Sequence, residues 1–364
     1  MQMKEITVKD GESNLRLDRL LVRWFPSLSR RSCREFIARS PVLVNGHKVK
    51  KGARVSAGDV VGVSESIERF FADFTPVPSE SVKLDVIYRD ERLLAVDKPP
   101  GIDTAPIRQS DTQTVLSGAL HLEKKLLDVK GWKKRESGLL YRLDRDVSGV
   151  VLLALDMQCF RRLQSDSRRG LVRKTYLAVV DNAGSEVLNR PGTVTAGRPR
   201  FQGRLKTITF DDITFHPDKT LDDVLLPHDR NRKPGGRAGG TGPEAEAGRE
   251  KIFMSRIKPL CHCASGTLVE IEIMRAFRHQ IRGTLAALGH PVAGDETYGS
   301  KNAPKTCGTD GDGMGGGIML HCWKVALRHP GDGGNGGGEK KSLKLESPPV
   351  RITAYDEKLA DLKL

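Results

Sequence analysis

Asp144 stands between two cations in the run Leu140-Tyr141-Arg142-Leu143-Asp144-Arg145-Asp146-Val147-Ser148-Gly149. Arginines on both sides of a carboxylate favour its anion. The chemistry open to it is that of an ionised carboxylate on a rigid support. That support is Val150-Val151-Leu152-Leu153-Ala154-Leu155, an apolar run bounded by Gly149 and Asp156 that reads as a buried strand. By spacing alone the competing reading is an Asp-Arg pair capping a turn, because structural ion pairs outnumber catalytic ones. Asp146 lies too close in sequence to serve with Asp144 as two carboxylates flanking a glycosidic bond.

The other chemistry-bearing residues narrow the field. Six cysteines are spread without a framework, and Cys261-His262-Cys263 lacks the two further ligands a metal site needs. They read as free thiols of a reducing compartment. No Gly-x-x-x-x-Gly-Lys run is present, which argues against nucleotide hydrolysis. There is no signal-peptide pattern and no apolar stretch of about 20 residues, so a cytoplasmic chain with no membrane span is expected. Lys and Arg number 60 against 46 Asp and Glu, an excess of +14. That balance points to a polyanionic partner, nucleic acid before membrane. Hydrophobic content of 38% and 38 glycines suggest polar inserts around an ordinary core, and 364 residues leave room for two domains.

The elements that must position Asp144 come in order. Residues 14–60 form a compact basic unit with eleven Lys and Arg against three acids, more than half of the chain's excess charge. Leu15, Leu17, Leu20, Leu21 and Trp24 have helical spacing, and Pro26 ends that helix. Ser29 is an N-cap for a second helix, Arg30 to Arg39. Pro41 to Val49 reads as a hairpin about Asn45-Gly46, and Gly58-Asp59 turns into Val60-Val61. Arg30, Arg31, Arg34 and Arg39 gather around the second helix, and Lys48, Lys50, Lys51 and Arg54 around the hairpin. Such clustering favours phosphate contact over a solvated face. Residues 62–80 read as a linker stiffened by Pro76 and Pro78. Two strands follow, Asp85 to Glu91 and Leu93 to Lys98, closed by Pro99-Pro100-Gly101. Thr114 to Leu122 reads as a helix, Lys124 to Arg135 as a basic loop and Met157 to Arg168 as a helix. On the strand Lys174 to Val180, Lys174 and Tyr176 share a face. Residues 183–250 read as a long insertion, Pro- and Gly-rich from Asp222 to Lys251. Val269, Ile271 and Ile273 alternate inward against Glu270 and Glu272. Arg275 to Arg282 opens a helix carrying Ile281, Leu285 and Leu288, which Gly289 ends.

Arg142-Leu143-Asp144 followed by Ser148-Gly149 and an apolar strand resembles the signature of the RluA-type pseudouridine synthases, with Tyr141 where His is common and Val147 where Thr is common. Asp85 to Gly101, ending in a Lys-Pro turn, is similar to that family's first block. Lys174-x-Tyr176 matches its lysine-x-tyrosine. His279-Gln280-Ile281-Arg282, then Leu288-Gly289-His290-Pro291, then Gly294-Asp295-x-x-Tyr298-Gly299 resemble its downstream block, with Ala276-Phe277-Arg278 departing from Gly-Arg-Thr. Ile318 to Trp323 and His329-Pro330 resemble its closing strand and turn. Arg16-Leu17-Asp18, Ser29-Arg30-Arg31 and Val44-Asn45-Gly46 resemble the RNA-binding module of ribosomal protein S-four, which binds structured RNA by shape and backbone.

The resemblance implies a catalytic Asp144, an Arg282 paired with it and a Tyr176 stacked on a flipped uracil, with Asp144 acting as nucleophile or as base. It implies no cofactor and no metal. Arg16, Arg30, Arg31, Arg34, Lys48, Lys50, Lys51, Arg142, Lys174, His279 and Gln280 are the expected RNA contacts. The expected fold is α+β: a small basic α/β module over 1–61, a linker over 62–80, and a catalytic domain over 81–364. The catalytic domain should hold a mixed, mostly antiparallel sheet flanked by helices, with flexible insertions near 183–250, 301–317 and 331–342. The expected activity is conversion of uridines in structured RNA to pseudouridine, ribosomal RNA of the large subunit before transfer RNA, by a monomer. The alternative is a non-catalytic RNA-binding ribosome assembly factor that retains the fold.

Overall fold

The computed structural model describes residues 3–26, 33–34, 36–37, 42–49, 52–64, 74–181, 190–196, 199–202, 207–210, 213–221, 253–263, 266–300, 317–331, 342–354 and 359. The chain divides into two compact units, Met1–Phe74 and Thr75–Leu364.

In the first unit, β1 (Met3–Thr7), β2 (Leu43–Val44), β3 (His47–Lys48) and β4 (Val60–Ser64) form one antiparallel sheet in the order β1-β4-β2-β3. Helix α1 (Leu17–Trp24) buries Leu17, Leu20 and Leu21 in a core shared with Cys33, Phe36, Ile37, Val61 and Val63. The hairpin turns at Asn45-Gly46 as expected, both residues at positive φ. Strand β1 escaped the sequence reading, because Met-Lys-Glu-Ile-Thr carries little apolar alternation. Its backbone pairing with β4 supplies what its side chains do not. Most of the expected second helix, with Arg30 and Arg31, lies outside the described residues, as do Lys50 and Lys51.

The second unit is built on a ten-stranded sheet. Its strands are β5 (Asp85–Arg89), β6 (Leu93–Lys98), β7 (Ser148–Ala154), β8 (Arg173–Val180), β9 (Gly192–Ala196), β12 (Thr214–Pro217), β13 (Phe253–Cys263), β14 (Gly266–Ile273), β15 (Leu320–Arg328) and β16 (Ser342–Glu346). A separate hairpin pairs β10 (Pro199–Gln202) with β11 (Thr207–Phe210). The order is β12-β9-β13-β14-β8-β15-β7-β6-β5, and β16 joins the later half of β15. Among the described residues every pairing is antiparallel except β7 with β15. Residues 192–217, expected inside an insertion, instead carry four strands. The β-branched run Thr193-Val194-Thr195 suits a half-buried strand, and β9 and β12 extend the sheet. The other expected insertions, at 301–317 and 331–342, and residues 222–252 lie almost wholly outside the described residues.

Helices α2 (Val115–Leu122), α3 (Met157–Arg168), α4 (Gln280–Ala287) and the short α5 (Val350–Thr353) complete the described part of this unit. Thr114 caps α2 and Asp156 caps α3, each accepting a backbone N–H three residues on. Val150 to Leu153 are wholly buried, each side chain stabilising the core by ~1.5–3 kcal/mol. The strand that supports Asp144 is thus the centre of the core. The basic segment 124–135, expected as a loop, instead carries a 3-10 turn, Lys124–Asp128, and the start of another, Lys134–Glu136.

Candidate active site

Strand β7 begins at Ser148, and Asp144 sits on the loop just before it. Two segments hold that loop. From β7's end, Ser148 Oγ lies 2.9 Å from His321 Nδ1, and His321 Nε2 lies 3.0 Å from the Ser347 carbonyl oxygen. Gly149 has φ +112, and a Cβ there would run into the Cys322 carbonyl. Only glycine fits a strand start so close to β15. From the other side, the stretch following β6 clamps the residues flanking Asp144. Thr104 Oγ1 donates to the Leu143 carbonyl at 2.7 Å and accepts its N–H at 3.1 Å. Lys98 Nζ donates to the carbonyls of Pro99, Arg145 and Val147 at 2.8, 2.7 and 2.8 Å. Gly101 N–H also donates to the Arg145 carbonyl. Burial pulls Lys98 down to about 7, against the opposing pull of Asp146, Asp103 and Asp144.

Arg282 comes from α4, 138 positions away. Its Nη1 donates to Asp144 Oδ2 at 2.7 Å. Its other edge is bidentate on Asp295, with Nε to Oδ2 at 2.6 Å and Nη2 to Oδ1 at 2.9 Å. The Arg282 and Asp295 side chains are 7% and 1% exposed, whereas Asp144 is 30% exposed. Burial opposes the Arg282 charge, but the hydrogen bonds and charge of Asp295, then those of Asp144, carry its pKa upward. Asp295 thus fixes the guanidinium, and the guanidinium fixes Asp144. No hydrogen bond among the described residues reaches Asp144 Oδ1.

His279 lies at the start of α4 in a left-handed conformation, φ 56. Its Nε2 is 3.5 Å from Asp144 Oδ2, and its Nδ1 is 3.2 Å from the Tyr298 hydroxyl. Burial holds the imidazole below the usual histidine range, with Arg282 and Arg278 adding to the effect and Asp144 opposing it. His279 thus lines the site beside Arg282. Tyr298 also faces the guanidinium, at 5.2 Å.

Tyr176 and Lys174 share a face of β8, as their spacing requires. Tyr176 is 5% exposed, and its phenol, pushed well up by burial, is also hydrogen-bonded to Cys322. Asp144's charge reaches it as well. Lys174, expected at RNA, is 1% exposed and lies 4.7 Å from the Tyr141 ring centroid. Burial lowers it to about 8. Gln280, also expected at RNA, is buried. It donates to the Met254 carbonyl and Ser255 Oγ and accepts the Phe277 N–H. Both residues are buried, Lys174 on the same β8 face as the buried Tyr176 and Gln280 in the first turn of α4. Arg142 is exposed and pairs with Glu136. Arg16 and Arg34 both pair with the buried Asp18, and Lys48 is exposed on its hairpin. Cys261-His262-Cys263 forms hairpin contacts, His262 with Thr267 and Cys263 with Gly266.

Thr104, Lys98 and Asp295 were given no role in the sequence reading. Asp295 sits in a quoted motif, and a buried-charge count could have found it, since Arg282 needs a counter-ion beyond Asp144. Thr104 carries no signal a sequence displays.

Known proteins place this arrangement. Residues 92–287, more than half of the chain, match the RNA pseudouridylate synthase family, and residues 15–61 match the S4 domain. The chain belongs to the RNA pseudouridylate synthase family, enzymes that convert uridine in RNA to pseudouridine. It is 28% identical over 307 residues to ribosomal large subunit pseudouridine synthase D of Xylella fastidiosa, covering 84% of this chain and 78% of that one. It is 27% identical over 305 residues to the protein of the same name from Yersinia pestis, covering 84% and 79%. The solved structure of human RNA pseudouridylate synthase domain containing 4 aligns with 76% of this chain and 93% of its own, at 19% identity and a TM-score of 0.47.

Proposed function

We propose that this enzyme modifies uridines of ribosomal RNA, in the large subunit, with Asp144 as the reacting group. The substrate class rests on the names of its relatives and on the basic S4 unit, which supplies RNA affinity through backbone contacts. The observation that carries the catalytic assignment is the Asp295–Arg282–Asp144 chain. A buried, doubly anchored guanidinium occupies Oδ2 of a partly exposed carboxylate and leaves Oδ1 without a hydrogen bond among the described residues.

The reaction breaks the bond from the anomeric carbon to ring nitrogen one and makes one from the same carbon to ring carbon five, which gives up its proton while the nitrogen gains one. The target base leaves the stack, at a cost of a few kcal/mol. Oδ1 then acts as a nucleophile on sugar or base, or as the base that starts glycal formation; each role requires an oriented carboxylate with one free oxygen. Arg282 supplies the orientation, and Tyr176 underlies the base. The enzyme works as a cytoplasmic monomer, and no helix among the described residues is long and apolar enough to cross a membrane.

The test is to map pseudouridine position by position in total RNA from cells carrying wild type or Asp144→Asn. Sites present only with wild type support the assignment and name the substrate. Wild type that binds ribosomal RNA but modifies nothing would replace it with an assembly-factor role.

A further inference from the structure

Away from the Asp144 loop, one exposed aromatic side chain stands out. Trp132 is 53% exposed, although tryptophan usually buries most of its large apolar surface. Its indole is nevertheless held in place. Nε1 points to the Leu140 carbonyl at 3.4 Å, the ring meets Phe160 edge-on at 6.4 Å between centroids, and the Arg168 guanidinium lies 5.6 Å from the ring centroid. The segment carrying it is anchored too, by the Lys130 N–H on Met157 Sδ and by the buried Val129. A side chain exposed by mere lack of packing would have no such set of constraints.

The surroundings are strongly cationic. Residues 124–135 hold six Lys and Arg against one acid. Lys130, Lys133, Arg142 and Arg168 are exposed, as is Asp128, the segment's one acid, while Glu136 is buried against Arg142. Leu140, which takes the indole N–H, is four residues ahead of Asp144. At most about 3.6 Å of chain per residue separates them, so the indole is anchored within roughly 15 Å of chain from the reacting carboxylate. A held aromatic face among exposed cations is how single-stranded nucleic acid is bound: bases stack on the ring and the cations take the phosphates.

We propose that Trp132 is a stacking platform for an unpaired base flanking the target uridine, with Lys130, Lys133 and Arg168 holding the adjacent phosphates. The assignment rests on the reading of this chain as an enzyme acting on RNA, and it adds a second contact beside the Asp144 site.

The full chain is titrated with single-stranded oligouridylate, followed by tryptophan emission, and assayed on the RNA that wild type modifies. Oligouridylate quenches wild-type emission, and Trp132→Phe loses the Trp132 share of that quench, Trp24 and Trp323 supplying any remainder. Trp132→Leu weakens binding and raises KM by about tenfold with kcat unchanged. The double variant Lys130→Gln/Lys133→Gln, which leaves the Phe160 packing intact, lowers the slope of log affinity against log salt by about 1.4. An unchanged KM in Trp132→Leu, or an equal quench in Trp132→Phe, overturns the platform. A salt slope unmoved in the double variant overturns the phosphate contacts. Wild type that makes no pseudouridine at all defeats the underlying reading instead, so the two failures are told apart.

Discussion

Thr104 grips Leu143 by both of its main-chain polar groups, donating to the carbonyl at 2.7 Å and accepting the N–H at 3.1 Å. Leu143 is the residue before Asp144, and the residue after it, Arg145, is held through its carbonyl by Lys98 and Gly101. The carboxylate is therefore positioned by main-chain bonds on either side, independently of the arginine that meets it from α4.

Removing the Thr104 hydroxyl should cost catalysis more than binding. Thr104→Val leaves the buried Leu143 amide and carbonyl without these bonds, at about 1–3 kcal/mol of stability for each unsatisfied group. The displaced Asp144 should lower kcat by about ten- to a hundredfold with KM unchanged. Thr104→Ser, which restores the hydroxyl, should recover most of the rate. Steady-state kinetics on the identified RNA site decide it: a KM effect, or failure of Ser to rescue, would count against positioning.

Arg282 serves two carboxylates with three donor nitrogens, which an ammonium cannot imitate. Arg282→Lys should lose at least about a hundredfold in kcat/KM, roughly 2.7 kcal/mol. Asp295→Asn leaves a buried cation short of its main counter-ion and should cost on the order of 3–5 kcal/mol of stability. Single-turnover rates and denaturant melts measure the two separately. Near-normal rates in Arg282→Lys would remove the arginine from the proposed mechanism.

The depressed pKa of His279 sets a pH signature. Burial is its main cause. Unfolded, the ring titrates near 6.5, so at lower pH the unfolded chain binds a proton that the folded chain resists. The histidine's contribution to stability is then fully present above about 6.5 and is lost as pH falls through the lower folded value. The stability difference between wild type and His279→Gln should rise with pH below that point and be flat above it. Parallel stability curves from pH 5 to pH 8 would show that the ring titrates normally.

Two glycines offer a matched contrast. Gly149 and Gly289 both have positive φ, but a Cβ at Gly149 meets the Cys322 backbone, whereas at Gly289 it meets nothing within 4 Å. Gly289→Ala should cost only the strain of its left-handed backbone, about 1 kcal/mol. Gly149→Ala should prevent β7 and β15 from pairing and leave the protein insoluble or without a cooperative melt. Equal stabilities for the two variants would mean that β7 and β15 are not so closely apposed.

Strong periodicity carried much of the fold in the sequence. The Val269, Ile271 and Ile273 alternation, the α3 span and the Asn45-Gly46 turn were all legible, because local pattern and tertiary burial agree there. Asp144 and Arg282 were legible as a pair only through family resemblance, since nothing local joins residues 138 apart. Lys174 and Gln280 are buried although charge and polarity suggest an outward place. Their burial is decided by which face of β8 and of α4 meets the sheet. Strand β1 was hidden for the opposite reason, being held by backbone pairing with little apolar signal.

The parallel contact of β7 with β15 has a consequence for how the enzyme comes into being. His321 meets Ser148 across 173 positions, and Arg282 meets Asp144 across 138. At about 5–20 residues per second of synthesis, the Asp144 loop exists for roughly 9 to 35 seconds before its last anchor has been made. Closing so long a segment is also slow in itself. A nascent chain therefore carries the Asp144 carboxylate before the strand that seats it exists, and on the proposed mechanism competence arrives only when that late strand is laid down. Premature termination before Leu320 would silence the enzyme while leaving Asp144, Tyr176 and Arg282 all present.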